Sequence, residues 1–125
     1  MSIQAYQRTA QLGEAPRATE YRTFAQVTRD LIVARDNGPT ADFGAYMDAL
    51  FRNRQLWEIL AVDCAGEANG LPASVRAQII SLALFVDRHT SAVCRNNADI
   101  ETLIEINRSI MDGLAAATAA SPSQR

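Results

Sequence analysis

The sequence predicts an all-α protein: an antiparallel up-and-down bundle of four main helices, preceded by a short N-terminal helix. Apolar residues recur every three or four positions along most of the chain, and no stretch alternates long enough to indicate a strand. Glycine and proline fall between these periodic stretches, where they mark helix ends. Because 125 residues are typical of one domain, we expect a single core.

Gly13 separates the first two predicted helices. The first is short and spans residues 3–12. The second begins at Pro16, because proline lacks an N–H group that the first turn of a helix leaves unbonded anyway. It ends before Gly38, since glycine adopts the left-handed conformation that closes a helix, and Pro39 prevents continuation.

The third and fourth predicted helices make up the middle of the chain. The third begins after Thr40, the expected N-cap, and ends at the loop of residues 66–71. The fourth runs from about Pro72 to Arg95 and is apolar nearly all round. A helix of that kind is typical of the middle of a bundle.

The fifth predicted helix runs from about Asp99 to Leu114, with Asn97 or Asp99 as its N-cap. Since the loops between consecutive helices are short, we expect antiparallel neighbours. Residues 1–114 therefore form the predicted domain. Residues 115–125 are rich in alanine and offer nothing large to bury, which predicts a flexible C-terminal tail.

Composition and charge argue against several classes of partner. The net charge is −2, and the twelve basic residues, all arginine, are scattered among acidic ones. This distribution argues against direct nucleic-acid contact. The N-terminus lacks the pattern of a signal peptide, and no apolar run is long enough to span a bilayer. We therefore expect a cytoplasmic protein without membrane insertion.

The sequence carries no recognisable catalytic apparatus. It has no GxGxxG, P-loop, GxSxG or HExxH motif. Cys64 and Cys94 are far apart, and His89 is the single histidine, so we expect no metal site. His89 lies on the apolar stripe of the fourth helix, which is more typical of a hydrogen-bonded structural histidine than of a general base. We expect neither an enzyme nor a cofactor.

Two residues have both a structural and a partner-binding interpretation. Trp57 lies at stripe spacing, as a core tryptophan would, yet Trp and Arg are frequent at interfaces and Arg54 is within one turn. Asn107 interrupts the apolar stripe of the fifth helix. Such an asparagine either fixes helix register through buried hydrogen bonds or contacts a partner directly.

Several short elements are distinctive by their order and spacing. They are Ala5-Tyr6, Pro16 to Tyr21, Asn53-Arg54-Gln55-Leu56-Trp57, Leu71-Pro72, His89-Thr90 and the run from Leu103 to Leu114. Together they resemble the FlaF family of flagellar biosynthesis regulators. Ala5-Tyr6 and Pro16 are also similar, over a smaller part of the chain, to the FliS-type flagellin export chaperones. Asn96 and Asn97 stand where the FlaF family more often has glycine.

The resemblance implies a cytoplasmic factor required for flagellin synthesis and export. We expect such a factor to bury amphipathic flagellin segments in an apolar groove, bordered by the first helix and the Asn53 to Trp57 stretch. The alternative is a post-transcriptional regulator or adaptor that acts with FlbT rather than by binding flagellin. The residues predicted by physical character to contact a partner are Tyr6, Arg17, Tyr21, Asn53, Arg54, Trp57, Asn107 and Met111.

Overall fold

The computed structural model describes the backbone of residues 16–66 and 70–120, and the side chains of residues 21–66 and 70–113. Within these ranges the chain forms four helices and no strand, which confirms the all-helical prediction. They are α1 (Pro16–Asn37), α2 (Phe43–Ala65), α3 (Ala73–Cys94) and α4 (Ile100–Ala120). None of these four is long and apolar enough to cross a membrane. The predicted helix over residues 3–12 lies outside the described residues.

The turn between α1 and α2 agrees with the prediction at its start and differs at its end. Gly38 has a φ of 77° and donates its N–H to the Ala34 carbonyl at 2.8 Å, so it closes α1 as expected. The N-cap of α2 is Asp42, which accepts the Ala45 N–H at 3.0 Å. Thr40 was predicted for this role, but the turn that follows Gly38 includes Thr40 and moves the first free N–H groups further along the chain.

A Schellman motif closes α3 and leads directly into α4. Asn97 donates its N–H to the Ala92 carbonyl at 2.8 Å, and Asn96 donates to the Val93 carbonyl at 2.9 Å. Asn96 occupies the left-handed position with a φ of 62°. Asp99 then caps α4 by accepting the Glu101 N–H at 3.0 Å, as one of the two predicted caps.

Replacement of Asn96 by alanine is expected to lower the free energy of unfolding by about 1 kcal/mol, because a Cβ disfavours the left-handed conformation without the local hydrogen bonding that Asn provides. The matched variant Asn96→Gly is expected to be at least as stable as the original chain. Urea unfolding followed by circular dichroism measures both. Equal losses in the two variants would contradict the role assigned to the left-handed turn.

The four helices pack unequally. Helix α1 lies against both α2 and α4, and α2 packs extensively on α3, whereas α3 and α4 have the least contact of these neighbouring pairs. The largest apolar side chains that are fully buried come from all four helices and form one core: Phe24, Leu31, Leu50, Trp57, Val86, Leu103 and Ile104. The bundle is therefore well closed on three sides and loosely closed along the fourth.

Helix α4 is longer than the sequence pattern predicts. It continues to Ala120, six residues beyond the expected end at Leu114. The physical reason is the composition of the extension, since alanine has the highest intrinsic helix propensity and needs no tertiary contact to favour the helix. The domain boundary at residue 114 and the flexibility of residues 115–125 stay predictions.

Candidate functional site

Four polar residues form a hydrogen-bonded group in the middle of the core, here called the polar cluster: Thr28, Asn53, Trp57 and Asn107. The Asn107 amide is its centre. Its oxygen accepts the Trp57 indole N–H at 3.0 Å, and its nitrogen donates to Thr28 Oγ1 at 3.1 Å and to Asn53 Oδ1 at 2.7 Å. All four residues are at most 3% exposed. The cluster thus joins α1, α2 and α4 at one level, and the predicted structural role of Asn107 is confirmed.

Trp57 fills the space beside the polar cluster. Its ring meets the Phe24 ring edge to face, with centroids 5.5 Å apart and an interplanar angle of 78°. Such aromatic pairs add to the stabilisation that burial alone provides. Because its only polar atom has a partner in Asn107, the indole is accommodated at 1% exposure without an unpaired N–H.

Two polar atoms in the core have no hydrogen-bond partner among the described residues. They are Asn53 Nδ2 and Thr90 Oγ1, and both residues are completely buried. An unpaired buried polar group generally costs about 1 to 3 kcal/mol. Thr90 belongs to α3, which contributes no residue to the polar cluster. The hydrogen bonds of the polar cluster therefore join α1, α2 and α4 and leave these two buried atoms unpaired among the described residues.

Helices α2 and α3 run antiparallel, because the start of α3 meets the end of α2. Arg76 Nη1 donates to the Cys64 carbonyl at 3.3 Å. Toward the other end of the pair, burial raises the pKa of the Tyr46 hydroxyl, and Cys94 adds to this increase.

The second feature is the α3–α4 seam, defined by Leu82, Phe85, Ile106 and Ile110. At one end of the seam His89 links the two helices, because its Nε2 donates to the Asp99 carbonyl at 2.8 Å. The Phe85 ring stacks on the imidazole at a centroid distance of 5.2 Å and remains 39% exposed. His89 thus has the hydrogen-bond partner that the sequence predicts for it.

The other residues of the seam follow from helical geometry. Leu82 precedes Phe85 by three positions and His89 by seven, so the three share one side of α3. On α4, Glu101 faces α1, because it accepts a hydrogen bond from Arg35 at 2.6 Å. Ile106 and Ile110 lie on the far side of α4 from Glu101, and this is the side toward α3. Leu82, Ile106 and Ile110 are only partly buried.

The structure separates the residues that were predicted to contact a partner. Asn53, Trp57 and Asn107 meet inside the core. On the surface, Tyr21 is exposed in α1, and the half-buried Arg54 places its guanidinium 5.1 Å from the Phe51 ring centroid. Met111 is half-buried against the core. The side chain of Arg17 and all of Tyr6 lie outside the described residues. Contact of these residues with a partner stays a prediction.

Sequence interpretation missed Thr28 and Thr90. Both occupy positions of an apolar stripe: Thr28 lies four residues after Phe24, and Thr90 lies four residues after Val86. A threonine at such a position does not stand out in the sequence, because its β-branched side chain is only slightly polar. The available signal was the one that identified Asn107, a polar residue on an otherwise apolar face.

A cleft of about 250 Å³ between α1 and α2 is lined partly by carboxylates. Each of them already has a partner. Asp30 accepts from Gln26 at 3.1 Å, Asp42 caps α2, and Asp48 pairs with Arg52 at 2.9 Å. Among the described residues, no group of His, Cys, Asp and Glu side chains could hold a metal ion. The carboxylates of this cleft are therefore accounted for by contacts within the chain.

Comparison with known proteins identifies a family. The family model described as flagellar protein FlaF matches residues 2–114, which include the polar cluster and every residue of the α3–α4 seam. No curated protein and no solved structure matches the chain. The family assignment therefore rests on this match, which covers most of the sequence.

Proposed function

Because the chain belongs to the family of the flagellar protein FlaF, we propose that it is a cytoplasmic, non-enzymatic chaperone that binds flagellin during flagellin synthesis and export. The α3–α4 seam is the observation that supports this proposal. It combines the loosest helix packing in the bundle with a row of incompletely buried apolar side chains. A flagellin segment that binds there is called the client helix below.

An amphipathic helix fits the chemistry of the α3–α4 seam. Leu82 and Phe85 are three residues apart on α3, and Ile106 and Ile110 are four apart on α4, so each helix offers an apolar ridge. A client helix between the ridges would bury its own apolar face, as in other helix-in-groove complexes. The proposal takes the terminal segments of flagellin to be amphipathic helices that would self-associate if left free. Covering them in this way would keep flagellin monomeric before export.

The polar cluster has a supporting role in this proposal. It fixes α1, α2 and α4 relative to one another, whereas α3 packs extensively on α2 and has little contact with α4 beyond the His89 hydrogen bond at the turn. A bundle in which one helix pair is loosely packed and the others are firmly joined is suited to admitting a client helix without losing the fold. In this proposal Asn53, Trp57 and Asn107 hold the firmly joined helices together.

Phe85→Ser tests the proposal against a matched neighbour. We expect this variant to bind purified monomeric flagellin about three- to sevenfold more weakly, because Phe85 is 39% exposed and burial of that remainder contributes about 0.6 to 1.2 kcal/mol. Leu84→Ser is the control. Leu84 is more exposed, at 57%, yet lies about 100° round α3 and away from the seam. Isothermal titration calorimetry with both full-length variants measures the difference.

The outcomes of this titration separate the two functions implied for the family. Equal affinities for Phe85→Ser and Leu84→Ser would place flagellin binding elsewhere than the α3–α4 seam. An original chain without affinity for flagellin would remove the chaperone proposal. The alternative, an adaptor that acts with FlbT on flagellin expression, would then be tested by the same titration with FlbT in place of flagellin.

A further inference from the structure

We propose that the outer face of α2 is the contact surface of a homodimer, in which α2 of one copy packs antiparallel on α2 of a second copy about a two-fold axis. The outer face is defined by Phe51, Arg54, Gln55, Glu58 and Val62. The inference does not rest on the binding of flagellin, since this surface belongs to a different helix from those of the α3–α4 seam. Two observations carry it: the exposed apolar side chains of the face and the order of the charges between them.

Two large apolar side chains project from α2 on the side away from the core. Phe51 is 43% exposed and Val62 is 60% exposed. They are eleven residues apart in the sequence, or about three helical turns, so they share one face of α2 at a separation of about 16 Å. Asn53 is fully buried and lies about 160° round α2 from Phe51 and about 180° from Val62. The two side chains therefore present apolar surface that the packing of the four helices leaves uncovered.

The two charged residues of the outer face, Arg54 and Glu58, form no ion pair within the described part of the chain. They are four residues apart on one helix, a spacing that permits them to pair with each other. Instead, the guanidinium of Arg54 lies 5.1 Å from the centroid of the Phe51 ring, and Glu58 is exposed. The outer face therefore offers one cation and one anion, placed between two apolar side chains.

The outer face is complementary to itself under a two-fold axis near residue 56. Arg54 and Glu58 each lie two positions from residue 56, and Phe51 and Val62 lie five and six positions from it. In an antiparallel pair of α2 helices, Arg54 therefore comes level with Glu58 of the second copy, and Phe51 with Val62 of the second copy. A two-fold axis makes each of these contacts twice.

The charges also select the direction of the two helices. Arg54 and Glu58 are about 40° apart round α2, on the same edge of the outer face, and in antiparallel pairs the equivalent edges meet. A parallel pair would instead place Arg54 beside Arg54 and Glu58 beside Glu58 of the second copy, where like charges repel. The pattern of charges thus favours a second copy of this chain in the antiparallel orientation.

A contact between two single helix faces is small, so we expect a weak dimer. It buries less than the area of about 800 Å² per partner that is usual for stable complexes. We expect a dissociation constant between about 10 µM and 1 mM, measured by sedimentation velocity of the full-length chain over that range of concentrations. Because α3 and α4 contribute nothing to the outer face, the α3–α4 seam of each copy stays uncovered in such a dimer.

Charge reversals test the pairing of Arg54 with Glu58 of the second copy. We expect Arg54→Glu and Glu58→Arg each to dimerise about tenfold or more weakly when alone, because like charges then meet twice. An equimolar mixture of the two variants is expected to recover the original affinity, since every contact again joins a basic to an acidic residue. Recovery shows that both variants are folded. Arg108→Glu is the matched control, because Arg108 is exposed on α4, and it is expected to dimerise like the original chain.

Phe51→Ser tests the apolar part of the contact. We expect about tenfold weaker dimerisation, because the exposed part of the ring is lost on both sides of the two-fold axis, with an unchanged circular dichroism spectrum. An original chain that stays monomeric to about 1 mM would overturn the inference, and so would equal dimerisation of Phe51→Ser and the original chain. Failure of the charge-reversed mixture to recover would overturn it as well. None of these results bears on flagellin binding, which the Phe85→Ser titration tests separately.

Discussion

Replacement of Trp57 by alanine is expected to lower the free energy of unfolding by about 3 to 5 kcal/mol. Trp57 is the single tryptophan, is 1% exposed, and makes the edge-to-face contact with Phe24. Its loss leaves a cavity the size of an indole and removes the donor to Asn107 Oδ1. Since domains of this kind are stable by about 5 to 15 kcal/mol, the variant is expected to be close to its unfolding threshold. Urea unfolding followed by far-ultraviolet circular dichroism measures the change.

Trp57→Phe separates the two contributions of the indole. Phenylalanine keeps much of the apolar volume and the ring contact but has no N–H group. We expect it to cost about 1 to 3 kcal/mol, the usual effect of leaving a buried partner without its hydrogen bond. Losses below 1 kcal/mol in both variants would contradict the burial of Trp57. Because Trp57→Ala weakens the whole fold, reduced flagellin binding by that variant would say nothing about direct contact.

Asn107→Leu is expected to cost about 3 to 5 kcal/mol, although leucine has a similar volume and suits an apolar core. The substitution leaves three buried groups without partners: the Trp57 N–H, the Thr28 hydroxyl and the Asn53 carbonyl. Each such loss costs about 1 to 3 kcal/mol. Urea unfolding again gives the free energy. We also expect broadened amide signals in nuclear magnetic resonance spectra, because α1, α2 and α4 lose the contact that fixes their register.

A triple variant supplies the control for Asn107→Leu. Thr28→Val and Asn53→Leu, added to Asn107→Leu, remove two of the three unpaired groups and replace them by apolar atoms. We expect the triple variant to be more stable than Asn107→Leu alone, since removal of both partners of a buried hydrogen bond is close to neutral. A stability loss equal to the sum of three single losses would show that the residues act independently and do not form a cluster.

The fold was largely predictable from local signals. Gly38 and the pair Asn96 and Asn97 mark helix ends through their backbone preferences, and apolar spacing indicates which side of each helix turns inward. Buried asparagine was also predictable, because Asn107 interrupts an apolar stripe. Pairing was not. Helical spacing shows that Asn53, Trp57 and Asn107 face inward but does not fix their heights, which depend on how four helices align over separations of 50 residues or more.

Sequence patterns could not predict the α3–α4 seam, for a related reason. Because α3 is apolar nearly all round, its composition predicts a central helix. The structure instead places α3 at the loosely packed side of the bundle, with Leu84 57% and Phe85 39% exposed. An apolar helix looks the same whether its outer surface meets its own chain or a partner. The surplus apolar surface of α3 is what the proposed client would partly cover.

The polar cluster also has a consequence for folding. Its hydrogen bonds join Asn107 to residues 50, 54 and 79 positions earlier in the chain. Contacts between such distant residues form late, since long loops must close first. During synthesis from the N-terminus, Trp57 therefore has no partner for its N–H until α4 has left the ribosome. We expect a nascent chain that lacks α4 to remain a loose helical intermediate, which acquires its fixed core in one cooperative step when Asn107 arrives.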